Sequence, residues 1–166
     1  MAMRVLLNGY YRFLKLMLTL LITVLIVPVA MQILSRYTGL IPRYIWTEEI
    51  ARFCFVWVIM VGSMIAVRDG SHFDVDVLPH SSNRMIEFAM SQIVNIAILA
   101  MAVSFLWWGW DFGKLGARQQ SEISGLPMLA IYIAWPLAGF TWTLFILERI
   151  FDDFADYRAG EPNGTS

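Results

Sequence analysis

The chain has 166 residues, of which 58% are hydrophobic and only 15% are charged, whereas soluble domains carry about 25% charged residues. This composition excludes an ordinary water-soluble domain and favours a protein embedded in a lipid bilayer. The formal net charge of -1, without a basic run, gives no electrostatic basis for binding nucleic acid. The single cysteine, Cys54, cannot form a disulfide within the chain or supply a thiolate cluster for a metal.

Four long apolar stretches alternate with short polar connections along the sequence. We predict transmembrane helices over residues about 14–35, 47–67, 86–110 and 126–148, since about 20 apolar residues cross a hydrocarbon core of about 30 Å. The second span is the shortest, and it reaches this length only if its helix begins near Thr47. The predicted fold class is therefore all-α integral membrane, with one four-helix domain over residues 1–158 and a disordered tail over residues 159–166.

Lysine and arginine are unevenly distributed between the two sides of this four-helix arrangement. With the N-terminus in the cytoplasm and Arg52 left out as part of the second span, seven of them lie on the cytoplasmic side and four on the opposite side, which follows the positive-inside rule. We therefore expect the N- and C-termini to be cytoplasmic. The connections are too short to bury a core of their own, so we expect this chain not to be an enzyme.

The centres of the spans contain no ionisable side chain, although a carrier of ions or protons normally needs one there. The most polar groups inside the membrane are Gln92 and Asn95 on the third span. We interpret them as partners in interhelical hydrogen bonds, with a substrate contact as the alternative.

Both histidines of the chain lie between the second and third spans, where they cannot ligate a haem held between transmembrane helices. His72, Asp74, Asp76 and His80 have the donor types of a metal site. Apolar residues alternate with these donors, and this pattern equally indicates a segment that lies along the membrane surface. We predict no cofactor and no metal in this chain.

Small residues recur at helical spacing on two of the spans. Ala130, Ala134 and Ala138 are four residues apart on the fourth span, and Gly62 and Ala66 are four apart on the second. Such stripes let two helices approach closely. The spacing leaves open whether the neighbouring helix belongs to this chain or to a partner.

The start of the second span carries three charges within five residues. Thr47 can cap a helix whose first turn contains Glu48 and Glu49, which complement the helix dipole. Glu48 and Arg52 are four residues apart in the order that favours an ion pair, which leaves Glu49 in need of another partner. A simple helix start with a solvated Glu49 explains the same pattern.

Several short motifs follow one another in residues 35–77. In order, they are Arg36-Tyr37, Trp46-x-Glu48-Glu49-x-Ala51-Arg52, Trp57, Gly62 and Arg68-x-Gly70-x-His72. Together with four spans in 166 residues, this order resembles the small membrane subunit of tripartite ATP-independent periplasmic (TRAP) transporters.

The resemblance implies a bacterial inner-membrane system of three components. These are a periplasmic substrate-binding protein, a large elevator-type membrane subunit that carries substrate and sodium, and this small subunit as a part of the static scaffold. Family substrates are organic acids such as C4-dicarboxylates, sugar acids and sialic acid. The alternative is a membrane anchor subunit of a respiratory or other oxidoreductase, which would need cofactor ligands or a quinone pocket. We expect a partner interface at the motif residues and the alanine stripe: Arg36, Tyr37, Trp46, Glu48, Glu49, Arg52, Trp57, Gly62, Arg68, Gly70, His72, Ala130, Ala134 and Ala138.

Overall fold

The computed structural model describes residues 2–38, residue 42 and residues 44–70, 84–122 and 125–159. In chain order, its helices are α1 (Ala2–Thr38), α2 (Ile45–Asp69), α3 (Arg84–Arg118), α4 (Leu129–Tyr132) and α5 (Ala134–Ala159). Four of the helical segments in this part of the chain are long and apolar enough to cross a membrane. The predicted all-α fold with four transmembrane helices is confirmed.

The helices extend beyond the spans that hydropathy marks. α1 has 37 residues and α3 has 35, which corresponds to about 50–55 Å at 1.5 Å per residue, whereas the hydrocarbon core is about 30 Å thick. Because the backbone hydrogen bonds of a helix are satisfied within the helix, it can continue into the headgroup region beyond the last apolar residue. Ala159, where the tail was expected to begin, is the last residue of α5, and residues 160–166 lie outside the described residues.

The fourth span was expected as one continuous helix, but it is divided between α4 and α5. The interruption at Ile133 is explained by Pro136, which has no backbone N–H to donate to the carbonyl of Tyr132 four residues earlier. The neighbouring bonds persist, with Ile133 N donating to Leu129 O at 3.0 Å and Leu137 N donating to Ile133 O at 3.3 Å. The fourth crossing is therefore a helix that lacks one backbone hydrogen bond near its N-terminal end.

The helices pack in the spatial order α1, α2, α5, α3. α2 lies between α1 and α5, and α5 lies between α2 and α3. At the α3–α5 contact, a Cβ atom added to Gly139 would lie 2.7 Å from the carbonyl oxygen of Ala102 and from the amide nitrogen of Leu106. The backbones of these two helices therefore touch directly, as is common where a small residue lies at a membrane helix interface.

The buried core includes residues from each long helix. Its most fully buried side chains are Leu14, Val61, Met64, Asn95, Thr141 and Ile146. Tyr10 on α1 reaches Thr141 on α5, with their hydroxyl oxygens 3.0 Å apart. Because lipid is as apolar as these side chains, the helices are held by close packing and by hydrogen bonds of this kind.

Candidate partner interface

The N-cap of α2 is Tyr44, three residues before Thr47, which was the predicted cap. The helix begins at Ile45, and Tyr44 makes no side-chain capping hydrogen bond. Thr47 lies inside the first turn, where its hydroxyl donates to the carbonyl oxygen of Tyr44 at 2.7 Å. The prediction of a Thr47 cap is therefore wrong, because the extended backbone that a cap requires occurs at Tyr44.

Glu48 and Arg52 form the ion pair that their spacing predicts. An Arg52 Nη2 to Glu48 Oε1 distance of 3.6 Å joins them, and their side chains are 69% exposed for Glu48 and 64% exposed for Arg52. A pair this exposed contributes only about 0.3–0.5 kcal/mol to helix stability. Arg52 is thus paired with Glu48, and it makes no hydrogen bond to the next acid, Glu49.

Glu49 is buried, with only 5% of its surface exposed. Neither carboxylate oxygen has a hydrogen-bond partner among the described residues. The side chain lines a cavity of about 80 Å³ that we call the Glu49 cleft, formed by Glu48, Glu49, Arg52, Phe53, Ser121, Met128 and Ile131. The Glu48–Arg52 pair therefore leaves Glu49 buried and without a hydrogen-bond partner among the described residues.

The turn between α3 and α4 forms the other wall of the Glu49 cleft. Met128 N donates to Gln119 O at 3.0 Å and Ser121 N donates to Leu126 O at 2.9 Å, so the chain folds back on itself like a hairpin. Gly125 adopts φ 69°, a left-handed conformation that favours glycine. These bonds bring Ser121 and Met128 beside the first two turns of α2.

Three other predicted interface residues lie at the same end of the molecule. Arg36 and Tyr37 are exposed near the end of α1, and Trp46 is exposed at the start of α2. A cavity of about 380 Å³ separates these two helix ends, and Arg36 and Glu48 are among the side chains that line it. Exposed charged and aromatic groups here match an interface with lipid headgroups or with another protein.

Trp57 makes a contact within the subunit. Its indole Nε1 donates to the carbonyl oxygen of Ala130 at 2.8 Å, which ties α2 to α4. Gly62 lies on the same helix, but a Cβ atom added there would have no neighbour within 4 Å in the described structure. The Gly62 surface of α2 is therefore open to lipid or to a partner.

The alanine stripe of the fourth span does not form one surface. Ala134 and Ala138 have 0% exposure and belong to the core of this chain, so they do not present a surface to a partner. Ala130 lies on α4 and is exposed. The interruption at Ile133 separates it from the other two, which four-residue spacing alone had placed on one helix face.

The last part of the motif lies at the opposite end of α2. Arg68 bonds to Glu148 Oε2 at 3.1 Å through Nη1 and to Asn8 Oδ1 at 2.6 Å through Nη2. Gly70 ends α2 with φ 69°, which is the usual backbone of a glycine after a helix. Arg68 therefore joins three helices of this subunit. His72 lies outside the described residues.

The metal-like set between α2 and α3 also lies outside the described residues. It comprises His72, Asp74, Asp76 and His80. The absence of a metal there therefore stays a prediction.

Gln92 and Asn95 form interhelical hydrogen bonds, as predicted. Their side-chain nitrogens donate to Asp153 Oδ2 at 3.3 Å and 2.9 Å, and Ser91 Oγ donates to the same oxygen at 2.8 Å. The sequence did not identify Asp153 as the acceptor of these bonds. The signal in the sequence for such an acceptor was the group of three polar side chains on α3, because three hydrogen-bond donors inside a membrane need an acceptor.

Comparison with known proteins gives similar small membrane components. A family described as "Tripartite ATP-independent periplasmic transporters, DctQ component" matches residues 25–156. A putative TRAP transporter small permease protein of Haemophilus influenzae is 26% identical over 104 residues, which cover 63% of this chain and 65% of that protein. The sialic acid TRAP transporter small permease protein SiaQ of Vibrio cholerae is 22% identical, and the match covers 65% of this chain and 62% of that protein.

A third relative is a longer chain. The isethionate TRAP transporter permease protein DctMQ of Oleidesulfovibrio alaskensis is 27% identical over 117 residues, which cover 66% of this chain but only 18% of that protein. The family match includes most of the chain, from within the first apolar helix to the end of the fourth. The chain therefore belongs to the DctQ component family of tripartite ATP-independent periplasmic transporters, as a small permease component that crosses the bacterial inner membrane several times.

Proposed function

We propose that this chain is the static membrane partner of a large, elevator-type TRAP subunit in the sodium-driven uptake of an organic acid. A periplasmic binding protein would deliver the acid, and the large subunit would carry both the acid and sodium. The observation that carries the proposal is the absence of ionisable side chains from the central parts of all four spans in the sequence. A subunit that itself bound and released ions there would need such groups.

The DctMQ relative supports the partnership. In that protein the segment similar to this chain is only 18% of a permease, so one polypeptide combines a DctQ-like part with a much longer remainder. We infer that the present chain meets an equivalent large subunit as a separate polypeptide. The names of the relatives include sialic acid and isethionate, and we propose an organic acid as the substrate class here.

Uptake by reconstituted vesicles tests this function. Vesicles would contain the small subunit alone, the large subunit alone or both, with the binding protein outside and an inward sodium gradient. A panel of sialic acid, isethionate, C4-dicarboxylates and sugar acids would be supplied. We expect uptake only with both membrane subunits, and uptake by the small subunit alone would contradict the scaffold role.

We also propose that the chain holds no cofactor, which separates it from the anchor subunit of an oxidoreductase. The optical spectrum of the purified subunit should show protein absorption alone. A haem or flavin band that follows the protein through purification would favour the anchor function instead.

A further inference from the structure

The Glu49 carboxylate is buried in the helix bundle, but it lacks a hydrogen-bond partner among the described residues. Only 5% of the residue is exposed, and the lack of a partner applies to both oxygens. Arg52 lies within one helical turn, but its guanidinium faces Glu48 at 3.6 Å. We propose that the Glu49 cleft receives one lysine or arginine side chain of the large membrane subunit, and that this ion pair helps to hold the two subunits together.

A buried carboxylate without a partner is unfavourable, so the protein must supply a proton, water or an opposite charge. The Glu49 cleft has a volume of about 80 Å³, which leaves room beside the carboxylate for the charged end of one long side chain. Lysine and arginine can place their apolar stems against lipid or protein while the charged end enters such a site. With Glu48 and Arg52 already paired, the described residues offer Glu49 no compensating positive charge in the cleft.

The position of the cleft favours a neighbour in the same membrane. Its walls are the first turns of α2 and the hairpin before α4, near the end of the bilayer-crossing helices. The DctMQ relative carries a segment similar to this chain within a longer permease. This inference rests on the proposed function, in which the large subunit packs beside the small one, and it names one contact between them.

The test compares Glu49→Gln with Asp111→Asn in the purified small subunit. The affinity of each variant for the large subunit is measured in the same detergent. Glutamine at position 49 should raise the dissociation constant about 30-fold or more, since removing one member of a desolvated interfacial pair also leaves the other charge unpaired. Asp111→Asn changes an exposed pair with Lys114 that lies outside the Glu49 cleft, and it should change the dissociation constant less than about threefold.

The thermal stability of the isolated small subunit provides a readout that distinguishes an interface role from a structural one. Glu49→Gln removes a buried charge that has no described partner, so the isolated subunit should unfold at the same temperature or a higher one. A lower unfolding temperature would overturn the proposal, because Glu49 would then have a partner inside this chain. A change in affinity of less than about threefold would also overturn it and indicate that water, a proton or a lipid headgroup fills the cleft.

The partner residue is identified by a double-mutant cycle. Each lysine and arginine near the corresponding membrane surface of the large subunit is replaced by glutamine. One replacement should weaken binding to the wild-type small subunit about 30-fold or more, with little further loss in the Glu49→Gln background. If no replacement behaves in this way, the proposal is wrong. Wild-type subunits that do not associate would overturn the proposed function as well, whereas association that is insensitive to Glu49→Gln would overturn only this contact.

Discussion

Arg68 and Glu148 are 80 residues apart in the chain and form an ion pair with an Nη1 to Oε2 distance of 3.1 Å. The side chains are 16% and 12% exposed, and Asn8 accepts a second bond from the same guanidinium. The end of α2 is thereby joined to α1 and to α5. Arg68, a residue of the sequence motif, therefore stabilises the subunit itself. Glu49, at the other end of α2, has no such partner among the described residues.

We predict that Glu148→Gln destabilises the subunit by about 1.5–3 kcal/mol. The change keeps the shape of the side chain but leaves the Arg68 guanidinium without its counter-charge in a largely buried site. Thermal unfolding of the purified subunit in detergent measures the effect. Asp111→Asn is the matched control, because Asp111 and Lys114 are 3.0 Å apart but 65% and 62% exposed, so its cost should be below about 1 kcal/mol. Equal effects of the two changes would show that burial does not strengthen the Arg68 pair.

Asp153→Asn should loosen the contact between α3 and α5. Asp153 Oδ2 accepts bonds from Ser91, Gln92 and Asn95, and an amide is a weaker acceptor than a carboxylate and brings its own N–H groups toward these donors. We expect a loss of about 1–3 kcal/mol in unfolding free energy. Ser91→Ala removes one donor of the three and should cost at most about 1 kcal/mol. If Ser91→Ala costs as much as Asp153→Asn, the carboxylate is not the centre of this cluster.

Hydropathy and charge spacing predict the four crossings and the Glu48–Arg52 pair, because both depend on residues that are near one another in the sequence. The burial of Glu49 could not be predicted, since the hairpin that covers it comes from residues more than 70 positions later. Asp153 was missed for the same reason. A single sequence contains no direct record of which helices are neighbours, so the acceptor for Asn95 could have been on any of them.

The fourth helix shows a different kind of limit. The four-residue spacing of Ala130, Ala134 and Ala138 predicts one surface only if the helix is continuous. Pro136 lies inside the span and cannot donate a backbone hydrogen bond to the carbonyl of Tyr132, where α4 ends. Sequence shows the proline, but whether the chain bends or breaks there depends on the packing around it.

Gly139→Ala should destabilise the subunit because α3 and α5 touch through their backbones at this point. The added Cβ would lie 2.7 Å from backbone atoms of α3, and a rigid backbone cannot move aside as a flexible side chain can. We expect a cost of about 1–3 kcal/mol by thermal unfolding in detergent. Gly113→Ala is the control, since a Cβ there meets nothing within 4 Å and alanine favours the helix by about 1 kcal/mol. A neutral Gly139→Ala variant would show that the two helices can separate without loss.

The orientation of the subunit decides on which side of the membrane the Glu49 cleft lies. The distribution of lysine and arginine predicts cytoplasmic termini, which places the cleft at the periplasmic end of α2. Single cysteines test this in a Cys54→Ala background, in which the chain has no other thiol. Asp156→Cys lies beyond the last apolar segment, Leu129–Phe154, and Gln119→Cys follows the segment Ala89–Arg118.

An impermeant thiol reagent should label the cysteine at position 119 in cells whose inner membrane is intact. It should label the cysteine at position 156 only after the inner membrane is opened or in inverted vesicles. The two sites act as controls for each other, because the helix between them crosses the membrane once and they must react from opposite sides. The reverse pattern would place the termini in the periplasm and the Glu49 cleft in the cytoplasm. The charge asymmetry of seven against four would then be too small to fix the orientation, and contact with the large subunit would have to determine it.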